Sequence, residues 1–125
     1  MAKQPKKTLP KERLSPSEWE IMQICWRLGR CTVREVLRED LKTHIRDYRT
    51  ILTFMTRMAN KGWLTVEKEG NTNYYRPNVL KKTALAAEID RFLEEVVGPD
   101  PENRQLLMEM LARSAALRGK ARTSK

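Results

Sequence analysis

The stretch from Asp47 to Gly62, DYRTILTFMTRMANKG, constrains this chain more than any other. Set on a helix at about 100° per residue, it divides into two arcs. One arc holds Arg49, Thr50, Thr53, Thr56, Arg57, Asn60 and Lys61, with no acid among them; the other holds Ile51, Leu52, Phe54, Met55, Met58 and Ala59. Asp47 stands where a carboxylate accepts from the free N–H groups of a first turn, and Gly62 where a helix ends. An ordinary surface helix mixes Glu with Lys on its outer face. This face carries only cations, hydroxyls and an amide, which are donors suited to phosphates and base edges. The expectation is a DNA-reading helix. The plainer alternative is an amphipathic helix that happens to lack acids.

The flanking segments sharpen that choice. Ser15-Pro16-Ser17-Glu18 has the form of a helix start, with Ser15 as N-cap, Pro16 at the first helical position and Glu18 completing a capping box. Trp19, Met22, Cys25 and Trp26 then recur at helical spacing, with Ile21 and Leu28 beside them, up to Gly29. Cys31-Thr32 is short and β-compatible. Thr32 with Glu35 makes a second capping box, and Val33, Val36, Leu37 and Leu41 form the buried stripe expected of a short second helix. The turn from Lys42 to Arg46 leads into the third helix and sets Lys42, His44 and Arg46 beside any DNA bound there. After Gly62 the apolar period changes from 3.6 to 2. Residues 63–69 read as one strand, Gly70-Asn71-Thr72-Asn73 as turn chemistry, and Tyr74-Tyr75-Arg76 as the returning strand, stopped by Pro77. Three short helices and a hairpin make a winged helix-turn-helix over residues 14–79. Lys68, Asn71, Thr72 and Asn73 are the wing groups able to reach a phosphate or minor groove, although a turn that merely closes a hairpin looks the same.

Beyond the hairpin the chain reads as helical again over residues 80–117. Leu85, Ile89, Phe92, Leu93, Val96 and Val97 fall on one stripe, Gly98-Pro99-Asp100-Pro101 breaks it, and Leu106, Leu107, Met110, Leu111 and Leu117 mark a second apolar side. Two such helices cannot complete a core alone. They either fold back on the winged domain or pair with a second copy, and pairing is the better expectation, because a dimer doubles the footprint over a palindromic site. The fold class expected is thus mainly α with a small β-hairpin: a DNA-binding domain followed by a helical dimerisation region.

Charge agrees with a polyanionic partner, although solvated tails that keep the protein soluble explain the tail charge equally well. The net charge of +9 is concentrated. Residues 1–13 hold five Lys/Arg against one Glu, residues 118–125 hold four and no acid, and residues 14–79 hold eleven against eight; residues 80–117 are slightly acidic, five against seven. Both termini, 1–13 and 118–125, are expected to be disordered basic tails. No apolar run approaches the roughly 20 residues needed to span a bilayer, and the first residues lack the apolar core of a signal peptide. A cytoplasmic protein with no membrane contact is expected. Cys25, Cys31 and the single His44 have no metal-ligand spacing. With no phosphate loop, serine elbow or paired inward carboxylates, the chain reads as neither an enzyme nor a cofactor binder. A winged domain that binds protein instead of DNA is the alternative class.

These motifs, in this order, resemble the penicillinase-repressor family (the BlaI/MecI/CopY type). Leu14-Ser15-Pro16-Ser17-Glu18-Trp19-Glu20-Ile21-Met22 with Trp26 is similar to its opening helix. Arg49-Thr50-Ile51 with Thr53, and Thr56-Arg57-Met58 through Lys61-Gly62, resemble its recognition helix; Lys68-Glu69-Gly70 with Tyr75 and Pro77 resembles its wing. The likeness covers residues 14–79. It implies a homodimeric transcriptional repressor on a palindromic operator, with DNA-contacting positions at Arg49, Thr50, Thr53 and Arg57. Leu52 departs, since the family usually has Arg or Gln there. Two regulatory marks also differ. Members controlling β-lactam resistance are cut at an Asn-Phe bond, whereas here Phe92 follows Arg91 and Asn103 precedes Arg104. Copper-responsive members carry a C-terminal Cys-x-Cys, and residues 119–125 hold no cysteine. The resemblance therefore assigns no inducing signal.

Overall fold

A computed structural model describes residues 9–123, with side chains for residues 9–116. The chain forms two compact units that divide after Ala84.

The first unit begins with α1 (Pro16–Leu28), α2 (Val33–Asp40) and α3 (Tyr48–Lys61). Each N-terminus is closed locally. Ser15 and Glu18 exchange side-chain and backbone hydrogen bonds, Thr32 and Glu35 do the same, and Asp47 Oδ1 accepts from the Thr50 N–H at 2.9 Å. Gly62 ends α3 with φ +93°, a conformation that costs glycine little. Strands β1 (Leu64–Glu69) and β2 (Thr72–Pro77) pair antiparallel, Leu64 opposite Pro77 and Glu69 opposite Thr72.

The wing turn is therefore the two residues Gly70-Asn71, not the four expected. Gly70 takes φ +64° while Asn71 does not turn positive, the pattern of a hairpin turn with glycine at its first central position. Thr72 and Asn73 belong to the returning strand. Cys31 adds a short third rung, exchanging backbone hydrogen bonds with Tyr75 at 2.9 and 2.7 Å. The β-compatible pair before α2 thus ties that helix to the wing.

Ile21, Met22, Cys25, Val36, Ile51, Met55 and Met58 are fully buried and form the centre of this unit. Trp19 sits 5.7 Å from Trp26 and 6.4 Å from Trp63, ring centre to ring centre. Two tryptophans find acceptors for their indole N–H groups, Trp26 at Val79 O and Trp63 at Glu12 O. That last bond, with Leu9 packed on the core, holds residues 9–13, a stretch expected to be disordered. Residues 1–8 of the expected arm lie outside the described residues. A second difference concerns α2. Leu41, expected in the buried stripe, is exposed, while Asp40 is fully buried. The helix stops at Asp40, and its C-terminal turn swings Leu41 outward as Thr43 and His44 donate to the Asp40 carbonyl.

The second unit holds most of α4 (Lys81–Phe92), a π-helical turn over Leu93–Val97, and α5 (Pro101–Thr123). The expected single helix to Val97 widens after Phe92. Gly98, at φ +67°, lets its N–H reach back five residues to Leu93 O at 2.8 Å. Asn103 and Arg104 then donate to Val97 O and Gly98 O, closing the break. Helix α5 runs to Thr123, into the 118–125 segment expected to be disordered; Ser124 and Lys125, and the side chain of Leu117, lie outside the described residues. Among the described residues no helix is long and apolar enough to cross a membrane.

Candidate nucleic-acid interface

The outer face of α3 is the site the sequence points to. Ile51, Met55 and Met58 are buried, so the opposite side of the helix is turned outward. Arg49, Thr53, Thr56, Arg57 and Asn60 are exposed there, and Thr50 is half-buried. Neither the Arg49 nor the Arg57 guanidinium makes a hydrogen bond or ion pair to another described side chain. Both forks stay available to an outside acceptor. Thr53 Oγ1 donates to Arg49 O at 2.9 Å, one turn back. Tyr75 on β2 is buried, and burial pushes its phenol above the ordinary value, opposed in part by Thr56 of α3. At the start of α3 the hydrogen bonds from Thr50 hold the Asp47 carboxyl below its usual range, so the cap remains an anion near neutral pH.

Three residues expected beside these groups pair with acids within the same unit. Lys61 turns inward, its Nζ 2.8 Å from Oε1 of the fully buried Glu18 and 3.3 Å from Arg13 O. Arg46 bridges two carboxylates: Nη1 lies 2.7 Å from the buried Asp40, and Nη2 reaches Glu20 at 2.5 Å. His44 sets Nε2 2.9 Å from Glu20 and Nδ1 3.4 Å from Asp40. The turn between α2 and α3 is thus an internal ion network that aims α3. Arg46 and His44 of this turn face Asp40 of α2 and Glu20 of α1, while Lys61, at the far end of α3, faces Glu18 of α1. The Glu20 carboxyl is held below its usual range, first by the hydrogen bond from Arg46 and also by His44.

A cleft of about 310 Å³ separates α3 from the wing. Its walls include Thr32 and Arg34 at the start of α2, Tyr48 and Leu52 on α3, and Asn71 and Thr72 on the wing. Arg34 lies over the Tyr48 ring at 5.0 Å. Asn71 and Thr72, expected as wing contacts, are thereby brought to the same opening as α3, while Lys68 is exposed on β1 outside that lining. Arg34 and Tyr48 were not singled out by the sequence, and no local signal joins two residues fourteen apart. Among the described residues no group of His, Cys, Asp or Glu is arranged to hold a metal ion.

Three packed helices, a Cys31 rung and a two-stranded wing define a winged helix-turn-helix protein. The chain belongs to the penicillinase repressor family, whose sequence profile matches residues 14–120. It is 31% identical over 81 residues to the penicillinase repressor of Bacillus licheniformis, a match covering 65% of this chain and 63% of that one. The chain thus spans under two thirds of that relative's length. Among solved structures it is similar to the DNA-binding domain of the repressor BlaI, with TM-score 0.52 and 32% identity over 62% of this chain and 93% of that one. It is also similar to the monomeric form of Bacillus licheniformis BlaI in complex with the blaP half-operator, with TM-score 0.50 and 32% identity over 58% and 88% of the two chains.

Proposed function

We propose that this chain is a sequence-specific DNA-binding transcriptional repressor, which acts as a homodimer on a palindromic operator and blocks transcription by occupying it. The observation that carries the reading is the outer face of α3: two arginines with no hydrogen bond or ion pair among the described residues, three threonines and an asparagine, and no acid. A surface helix held in place only for stability has no need of such a composition. A BlaI structure recorded in complex with a half-operator, 32% identical to this chain, supports DNA as the partner. Arg49 and Arg57 offer bidentate forks to guanine or phosphate, and Thr50 and Thr53 add hydroxyls to base edges. Asn71, Thr72 and Lys68 extend contact along the backbone, and the basic first residues add salt-dependent attraction.

The homodimer rests on the second unit. Leu85, Ile89, Phe92, Val96, Met110 and Leu111 are all exposed, and Leu93 and Leu107 are half-buried. Exposed apolar residues at this density on two helices are the mark of an interface. A second copy is the self-complementary occupant that a two-fold site requires. The test is selection of bound duplexes from a random pool by the purified protein. Enrichment of an inverted repeat supports both parts of the reading. Failure to enrich any sequence, with elution from heparin no later than a charge-matched basic protein, refutes it.

A further inference from the structure

Leu52 interrupts the chemistry of the outer face of α3. Sequence periodicity groups it with the core arc, but that arc is not uniformly buried: Leu52, Phe54 and Ala59 are half-buried. Ile51, Met55 and Met58 are fully buried, whereas Leu52 is only half-buried. Its inner side packs on the core, as do Phe54 and Ala59. Its outer side lines two adjoining concavities: the cleft shared with Tyr48 and the wing, and a groove along α3 formed with Thr53, Thr56, Arg57 and Asn60. Arg49 stands one turn before it and Thr56 one turn after, which makes Leu52 an apolar island among donors.

An apolar group on a face that enters the major groove has one matching feature there. The thymine C5-methyl is the only apolar group on a base-pair edge, and the other bases present donors and acceptors. Setting Leu52 against a donor or acceptor leaves that group without a partner, which is costly once water is excluded. We infer that Leu52 is a specificity-determining residue, which selects thymine at one position of each half-site by covering its methyl group. The inference rests on the proposed DNA-reading role of α3. A purely structural Leu52 would change melting temperature on truncation and leave base preference as it was.

Deoxyuridine isolates the methyl, since it differs from thymine by that group alone. In the selected operator, thymines are replaced by deoxyuridine one position at a time, and binding is measured by fluorescence anisotropy. At one thymine in each half-site the replacement is expected to weaken the wild-type protein about fourfold, the factor one buried methyl group confers. Leu52→Ala is expected to bind both duplexes alike at that position. Leu52→Met, which keeps apolar reach, is expected to retain the preference. Should Leu52→Ala fail to fold, Leu52→Gln serves in its place, with the same loss of preference expected. Wild-type and substituted proteins showing the same thymine-to-deoxyuridine ratio at every position overturn the inference, while tight operator binding in that experiment leaves the repressor reading standing. Absence of any enriched sequence for the wild type removes the reading and the inference together.

Discussion

Lys61→Ala separates the role the structure gives this lysine from the role its position on the helix implies. Glu18 is fully buried, and its Oε2 has no hydrogen-bond partner among the described residues. Oε1 accepts from Lys61 Nζ at 2.8 Å and from the Ser15 N–H at 2.8 Å. Removing the amine leaves a buried carboxylate with one backbone donor. Breaking a buried pair from one side costs about 3–5 kcal/mol, and the surviving Ser15 bond puts the expected loss at the low end, about 3 kcal/mol. For a domain of this size that is a fall in Tm of roughly 12–24 °C, read by circular dichroism at pH 7. The pair Glu18→Gln with Lys61→Met, which removes both charges, is expected to recover most of it.

The pH dependence has a definite sign. Burial pushes the Glu18 carboxyl up, but the hydrogen bonds from Lys61 and Ser15, with the Lys61 charge, outweigh it and hold the group below its ordinary value of 4.5. A depressed folded value contributes stability above the unfolded one and loses it as pH falls through the folded one. In Lys61→Ala the lysine's share of that lowering is gone, so the carboxyl protonates at higher pH than in the wild type. The gap between variant and wild type is expected to narrow as pH falls from 7 toward 4. A variant that melts within a few degrees of wild type, yet lowers the salt dependence of DNA binding by about one phosphate contact, refutes the structural role.

Arg46→Ala removes the 2.7 Å partner of the buried Asp40, leaving His44 at 3.4 Å, and is expected to cost about 3 kcal/mol in urea unfolding; an unchanged midpoint counts against the ion network at the turn before α3. Phe92→Asp or Leu93→Asp is expected to give monomers in sedimentation velocity with much weaker operator binding, and a variant that stays dimeric moves the interface elsewhere. Trp26→Phe removes the 2.8 Å hydrogen bond to Val79 O and is expected to destabilise by about 1–3 kcal/mol, the cost of an orphaned buried carbonyl; a melting curve that does not shift contradicts that role for the indole.

What the sequence made legible is what lies close along the chain. Both capping boxes join residues three apart, and the Asp47 cap and Gly62 stop are equally local, so helix boundaries could be read directly. The change of period after Gly62 located the wing. What the sequence left unread involves partners far apart. Lys61 meets Glu18 across 43 residues, Arg46 meets Glu20 across 26, and Trp63 meets Glu12 across 51. A helical wheel shows which way a side chain leaves its own helix; a carboxylate supplied by another helix then decides whether it turns inward. Leu52 shows the same limit, since two arcs have no category for a residue on their border. The exchange of Leu41 and Asp40 came from a helix end, where period 3.6 stops applying.

The central claim is that the acid-free face of α3 reads DNA, and Arg57→Ala tests it most directly in an anisotropy titration against the selected operator over a series of salt concentrations. If Arg57 reads a base, the variant loses about 1–3 kcal/mol on that operator and far less on random duplex; if it holds a phosphate, both weaken together and the salt slope falls by about one. Either result places Arg57 at the interface. An operator affinity and salt slope identical to wild type, in a variant that melts normally, contradicts the claim.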